Sequence, residues 1–140
     1  MRTILFRGKE FSGVLNHAWI VGSLDMNEKE SPSIRFLDSF ENKCAIIVHP
    51  STIGEYTGFT DPYGRKIFEG DILKITTPDY EYITKVYSEK NALCVDVGNQ
   101  EKVCTPIGLA VDIWNDECFN VKVVGNIFDS PELLEAEKNE

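Results

Sequence analysis

The sequence lacks any long apolar run, and this excludes one class of protein at the outset. No stretch of the 140 residues approaches the roughly 18 consecutive apolar residues that a membrane-spanning helix needs. The opening residues MRTILFRGKEF carry neither the apolar core of an export signal nor a small-residue cleavage site. We therefore expect no membrane association and a cytoplasmic location.

Basic residues are also scarce. Lys and Arg number 14 against 23 Asp and Glu, which gives a formal net charge of −9. A surface of that sign repels the phosphate backbone of nucleic acids, and Arg65, Lys66 and Lys74 form only a loose basic cluster. The charge therefore disfavours nucleic acid as a partner.

Cysteine pairs with the short spacing of a metal site or redox motif are missing. Cys44, Cys94, Cys104 and Cys118 lie far apart in the sequence, and without an export signal reduced thiols are expected. A zinc site would require Cys104 and Cys118 to meet the only two histidines, His17 and His49, through folding alone. We predict no metal.

Motifs that mark common enzymes are absent as well. The sequence has no GxSxG nucleophile elbow, no Walker A loop and no GxGxxG. The acidic segment DIWNDE, residues 112–117, does not match a calcium loop. We expect no catalytic residue and no cofactor, the binding residues remain unknown, and the protein is not expected to be an enzyme.

Alternating apolar and polar residues, the period of a β-strand, are abundant. About nine short strands separated by turns every eight to twelve residues predict a mainly β fold, built as a small barrel or sandwich with an antiparallel meander. The segment IGLAVDIW, residues 107–114, has the cleanest alternation and is predicted to be a strand. DPYG, residues 61–64, predicts a type I turn.

One helix signal stands near the end of the chain. Ser130 can cap a helix, Pro131 suits the first helical position, and Glu132 favours the positive end of the helix dipole. A short C-terminal helix is therefore predicted. The softest boundary lies near Pro50, which predicts an N-terminal β segment over residues 1–50, involved in oligomer contacts, and a compact β-barrel over residues 51–140.

The Gly70–Asp71 pair interrupts the apolar stretch KIFEGDILKI and has two readings. Gly inside a strand marks a bulge or bend, and an adjacent Asp can accept a hydrogen bond in the turn. The functional alternative is an enzyme in which Glu69, Asp71 and Asp112 hold a divalent ion. The structural reading is preferred, and whether the pair has a role beyond structure stays open.

Aromatic side chains are numerous, and two uses are possible for them. A surface that stacks on single strands would involve Trp19, Phe59, Tyr63, Tyr80 and Tyr82, but Asp61, Asp79 and Glu81 place the wrong charge beside it. Core or subunit-interface positions are preferred, with Tyr56 and Phe68 predicted to be buried. In HAWIVGSL, residues 17–24, both faces are apolar, so we predict that an oligomer buries this segment through Trp19.

Three separated blocks resemble the YopX family of small phage and prophage proteins: ILFRGKE with WIVGSL, then TIGEYTGFTDPYGRKIFEGDILKI, and finally VVGNIFDSPELLE. Val21 departs from the family pattern, which commonly has an aromatic residue there. The resemblance implies an all-β protein with an SH3-like barrel in its C-terminal part, an intertwined homo-oligomer, a phage or prophage origin and no assigned enzymatic activity.

These observations together predict a non-enzymatic, self-associating interaction module of unknown biochemical activity. A host or phage protein is a possible further partner. The alternative is a nucleic-acid-associated or DNA-mimicking accessory protein of phage replication or host takeover.

Overall fold

The computed structural model describes residues 4–26, 31–98 and 101–138. These residues form a mainly β protein, as predicted, with twelve strands, one short 3-10 helix at Pro50–Thr52 and two α-helices. In chain order the elements are β1 Phe6–Lys9, β2 Trp19–Asp25, β3 Ser33–Leu37, β4 Lys43–Ile47, β5 Gly54–Thr60, β6 Lys66–Phe68, β7 Asp71–Thr76, β8 Glu81–Lys85, β9 Tyr87–Glu89, β10 Ala92–Val97, β11 Val103–Pro106, α1 Ile107–Trp114, β12 Asn120–Asn126 and α2 Glu132–Lys138.

The chain divides into two compact units, Met1–Gly58 and Phe59–Glu140. This division lies past the Pro50 boundary that the sequence indicates. In the part of the chain that is described, the strands form open antiparallel sheets and no closed barrel.

The strands of the first unit belong to a six-stranded sheet in the order β4-β3-β2-β1-β5-β6, in which β1 to β4 pair antiparallel with one another and β5 pairs antiparallel with β1. Its inner face carries the fully or nearly buried Ile20, Ile34 and Val48, against which the partly buried apolar side chains pack. Gly22 sits where a Cβ atom would lie 2.1 Å from the Arg35 carbonyl oxygen, so only glycine lets β2 and β3 approach this closely. Strands β3 and β4 form an antiparallel hairpin.

The second unit contains two three-stranded antiparallel sheets, β12-β7-β8 and β11-β10-β9, with α1. One hydrophobic core joins both sheets and the helix; its buried members are Ile67, Leu73, Ile75, Tyr82, Val86, Val95, Ile107, Ala110, Trp114, Val121 and Val123. The hairpin from β9 to β10 turns at Lys90 and Asn91, both of which have positive φ (50° and 65°). Two such residues are what a tight two-residue hairpin turn requires.

The strand predicted for residues 107–114 is wrong, because this segment is helix α1. Its buried residues are Ile107, Ala110 and Trp114, whose spacing of three and four follows one face of a helix, whereas Leu109 is exposed. A short segment that is apolar almost throughout fits both the helical period of 3.6 residues and the strand period of two residues. The strand that follows β10 and pairs with it is instead β11, for which no strand was predicted.

The C-terminal helix is confirmed as α2, which begins at Glu132 directly after Ser130 and Pro131. The Leu133 amide donates a 3.2 Å hydrogen bond to the Ser130 carbonyl oxygen. A Cβ atom on Gly125 would lie 3.2 Å from the Leu133 side chain, which places this leucine against β12. The helix is thus held by the body of the second unit rather than by its own seven residues.

Neither helix is long and apolar enough to cross a membrane, within the residues described.

Candidate functional site

The outward face of the first-unit sheet is the most distinctive exposed surface of that unit. Strand alternation turns the residues next to the buried Ile20 and Ile34 outward. Val21, Leu37 and Ile47 are accordingly 41%, 63% and 50% exposed. The outward face consists of Arg7, Lys9, Trp19, Val21, Ser23, Arg35, Leu37, Lys43, Ala45 and Ile47.

Trp19 lies at the centre of a basic group on this outward face. The guanidinium carbon of Arg7 is 4.5 Å from the centroid of the indole ring, and the Lys9 Nζ is 5.5 Å from it. These are cation–π distances, so the two cations hold the half-buried ring in place. The predicted contact residue Trp19 is therefore accessible only in part.

Charge divides unevenly between the two units. Residues 1–58 hold 6 Lys and Arg against 7 Asp and Glu, a net −1, whereas residues 59–140 hold 8 against 16, a net −8. The acidic character of the chain therefore belongs almost entirely to the second unit.

Two shallow hollows flank the outer part of β4. One, of about 430 Å³, is lined by the β3–β4 hairpin and Ser23. The other, of about 380 Å³, lies between β4 and the loop after β1, where Phe11, Val14 and Leu15 face Ile47. Both hollows reach Ala45 and are mostly apolar, so we call them the β4 grooves.

The loop over residues 11–17 is fixed by the buried carboxylate of Glu10. One carboxylate oxygen accepts hydrogen bonds from the Gly13 and Leu15 amides at 2.9 and 3.1 Å, and the other accepts the Ser12 hydroxyl. The Ser12 hydroxyl first, and then the main-chain amides, favour the charged form and lower the pKa of Glu10 to about 2. The loop that carries Phe11, Val14 and Leu15 is thus a defined surface.

Folding brings the two histidines together, but not with the cysteines that the sequence analysis considered. His17 Nδ1 lies 3.4 Å from His49 Nε2 in the first unit, although 32 residues separate the two in sequence. Cys104 and Cys118 belong to the second unit.

All four cysteines are free thiols. On the β9–β11 sheet, the Tyr87 hydroxyl donates a 2.6 Å hydrogen bond to Asp96 Oδ1, and Cys104 pairs with Asp96 across the strands. Burial, followed by the neighbouring Cys104 thiol, raises the pKa of the Cys94 thiol. A buried thiol that stays protonated is a weak nucleophile.

The Gly70–Asp71 pair builds a turn. Gly70 has φ +92°, and the Asp71 carboxylate accepts a 2.7 Å hydrogen bond from the Phe68 amide. The Val86 main chain then bonds both residues, since its amide donates to the Asp71 carbonyl and its carbonyl accepts from the Gly70 amide. Asp71 is 2% exposed.

Asp61 has a comparable place at the DPYG turn, where the predicted reversal is confirmed by a 3.0 Å bond from the Gly64 amide to the Asp61 carbonyl. Its Oδ1 accepts the amides of Tyr63 and Arg65 at 3.0 and 2.9 Å, and its Oδ2 accepts the Val123 amide at 3.1 Å. The carboxylate therefore joins the turn to β12.

Glu69, Asp71 and Asp112 do not form the metal site considered from the sequence. Asp71 is buried, whereas Asp112 is exposed on α1. Across residues 4–26, 31–98 and 101–138, no three or more His, Cys, Asp or Glu side chains are grouped so as to hold a metal ion.

Two of the five aromatic residues considered for stacking, Tyr80 and Tyr82, stack on each other with ring centroids 6.1 Å apart. Tyr82 is buried and accepts a 3.2 Å hydrogen bond from Trp114 Nε1, and Phe59 packs on the core of the second unit. Tyr63 is 60% exposed and lies beneath Lys122. The predicted burial of Tyr56 and Phe68 is confirmed at 8% and 5% exposure.

The motif positions Asp61, Gly70, Asp71 and Asn126 thus all support turns; Asn126 Oδ1 accepts the Phe128 and Asp129 amides.

The family model described as YopX protein matches residues 6–135. The chain belongs to the YopX family. A crystal structure of protein yopX from Bacillus subtilis matches with a TM-score of 0.57 at 18% identity, covering 95% of this chain and 98% of that one. This likeness shows a shared fold. The comparison with curated proteins gives no significant match.

The sequence analysis missed the outward face and the Glu10 loop. A Glu followed closely by Ser and Gly, as in Glu10, Ser12 and Gly13, is the signal that could have indicated a carboxylate-held loop. Arg7 and Lys9 lie beside Trp19 only because β1 pairs with β2, and the sequence alone does not show which strands pair.

Replacing Asp61 with Ala should destabilise the protein by about 3 kcal/mol, because three main-chain amides lose a charged acceptor. Urea unfolding followed by circular dichroism measures this change. The control is Asp116→Ala, which removes an exposed carboxylate that accepts one amide, from Cys118. Equal losses in the two variants would contradict the role given to Asp61.

Glu10 should make stability depend on pH in acid. Because its folded pKa lies near 2, below the ordinary 4.5, the charged form stabilises the fold above pH 4.5, and this contribution is lost as the pH falls from about 4.5 to 2. Urea unfolding at a series of pH values should show a smaller decline across this window in Glu10→Gln than in the native chain. Glu69→Gln is the control, and it should decline as the native chain does.

Proposed function

We propose that this YopX-family chain is a non-enzymatic interaction module of phage or prophage origin that self-associates through the outward face of its first unit. The observation that carries the proposal is the exposure of Val21, Leu37 and Ile47 on one sheet face beside Trp19 and the β4 grooves. Exposed apolar side chains that share a sheet face with apolar hollows are features of protein–protein contact surfaces.

The strand order supports a second copy as the partner. Strand β4 is last in the order, and beyond the bond from the Phe11 amide to the Ile47 carbonyl its outer edge faces no further strand among the described residues. An edge strand offers main-chain donors and acceptors to a strand of another chain. The β4 grooves, which lie on both sides of this edge, would bury apolar side chains of the strand that pairs with β4.

Electrostatics favours the first unit as the place where copies meet. Two second units, each at −8, repel one another, whereas two first units, each at −1, have little net repulsion. The formal charge therefore directs association to the outward face.

The non-enzymatic part of the proposal is supported by how the carboxylates are used. Asp61 and Asp71 are buried acceptors of main-chain amides, and Asp112 lies apart from them on an exposed helix face. General acid–base chemistry requires a group that can reach the substrate.

Two finer assignments belong to the same proposal. The two three-stranded sheets of the second unit share one core, which supports an SH3-like arrangement of open sheets rather than a closed barrel. A reducing compartment, the cytoplasm, fits four free cysteines of which Cys104 and Cys118 are exposed.

Size-exclusion chromatography with light scattering tests the self-association. The native chain should elute as a multiple of 15.8 kDa. In the double variant Val21→Glu/Ile47→Glu, the dissociation constant of the oligomer should rise about 30-fold, because two charges would have to be buried at the interface. The matched control is Leu109→Glu, an equally exposed apolar residue on α1. A native chain that elutes as a monomer, or a control that dissociates equally, would count against the proposal.

A second candidate function, a nucleic-acid-associated or DNA-mimicking accessory protein, is favoured by the uneven charge. The second unit, at −8, could occupy the site of a DNA-binding protein, whereas Lys9 beside Trp19, with Arg35 and Lys43 elsewhere on the same sheet face, could contact a single strand. Arg35 is partly neutralised by a 2.6 Å salt bridge to Asp25, which weakens the second version.

The two versions differ in a direct binding measurement. Filter binding of single-stranded DNA at low salt should retain label if Lys9 and Lys43 contact a strand, and Lys9→Ala/Lys43→Ala should abolish retention. A mimic would retain no nucleic acid but would compete with DNA for a host protein in a salt-sensitive manner. If the protein neither retains single-stranded DNA nor competes with DNA for a host protein, this candidate function is excluded.

A further inference from the structure

The His17–His49 pair is an unassigned feature of the first unit and is independent of the proposed function. These are the only histidines among 140 residues, and folding places one ring nitrogen of each 3.4 Å apart. The Glu10 carbonyl oxygen lies 2.9 Å from the same His17 Nδ1. Three donor atoms therefore converge at one point of the surface.

The loop fixes the backbone of His17. Asn16 and His17 have φ of 56° and 54°, in the left-handed region, which asparagine and histidine adopt more readily than most residues other than glycine. The Glu10 carboxylate fixes the loop from the inside through Gly13 and Leu15.

His49 is placed by a different part of the unit. Its amide donates a 2.8 Å hydrogen bond to the Lys9 carbonyl, and Pro50 follows it at the start of the 3-10 helix. The Phe11 ring lies 4.8 Å from the imidazole, centroid to centroid, and covers one side of it. Both imidazoles are thus oriented before any ligand arrives, and His17 remains exposed.

We propose that His17 Nδ1 and His49 Nε2 form a binding site for a divalent transition-metal ion such as Zn²⁺, Ni²⁺ or Cu²⁺. A metal that binds two imidazole nitrogens tetrahedrally at about 2.0–2.1 Å holds them roughly 3.3 Å apart. The separation of 3.4 Å meets this requirement with little movement. When the metal binds, the proton on His17 Nδ1 moves to Nε2, and the Glu10 carbonyl becomes a third donor.

The donor set selects the class of metal. Imidazole nitrogens suit zinc, copper and nickel, whereas calcium and magnesium require oxygen ligands. Two side chains leave coordination positions open to water or to an external donor. Affinity should increase from Co²⁺ through Ni²⁺ to Cu²⁺.

Isothermal titration of the chain with Ni²⁺ and Zn²⁺ tests the site. The protein is prepared without a histidine tag and with Cys44, Cys104 and Cys118 replaced by serine, since accessible thiols bind both metals. The ligand variants are His17→Asn, because asparagine tolerates the left-handed backbone, and His49→Gln. Circular dichroism establishes that each variant is folded.

The expected result is one metal per chain in the background protein and at least tenfold weaker binding in each histidine variant. Continuous-wave electron paramagnetic resonance spectra of bound Cu²⁺ should show hyperfine coupling to two imidazole nitrogens in the background protein. In each histidine variant the coupling should be to one imidazole nitrogen. Binding that is unchanged in either variant, or absent from the background protein, overturns the proposal.

Discussion

Buried carboxylates that accept main-chain amides are the interactions on which the second unit depends. A turn at the base of a sheet leaves N–H groups that no strand partner can satisfy, and burying them unpaired costs free energy. Asp61 serves three such groups, and Asp71 serves the amide of Phe68. The Asp61 carboxylate takes donors from two places along the chain, the DPYG turn and β12, so this turn cannot shift without leaving a buried carboxylate unpaired. The motif by which the family is recognised is therefore a folding signature.

The first unit uses a similar device for a different purpose. Glu10 holds a loop at the surface, and that loop borders one of the β4 grooves and carries His17. A rigid border matters to binding because fewer side chains must be ordered when a partner arrives. The same carboxylate thus supports both the apolar groove and the histidine pair, which explains why these features lie together on a unit with almost no net charge.

Much of the fold was predictable from local signals. Alternation gave the strands, DPYG gave a turn, and Ser130 with Pro131 gave the start of α2, since each depends on residues close in sequence. The error at residues 107–114 has a physical cause. Gly108 and Ala110 alternate with larger apolar residues, but burial follows Ile107, Ala110 and Trp114, and only the core of the unit decides between the two patterns. The site features were less accessible, because the meeting of His17 with His49 and of Trp19 with Arg7 depends on which strands pair.

The hydrogen bond from the Val123 amide to Asp61 has a consequence for biosynthesis, because 62 residues separate its two ends. During translation the DPYG turn emerges long before β12, so the nascent chain must keep this carboxylate hydrated until the strand leaves the ribosome. Strands β1 to β4 lie within the first 47 residues and emerge well before either end of this hydrogen bond. Newly made chains therefore pass through a stage in which the DPYG turn has been synthesised but the strand that anchors it has not.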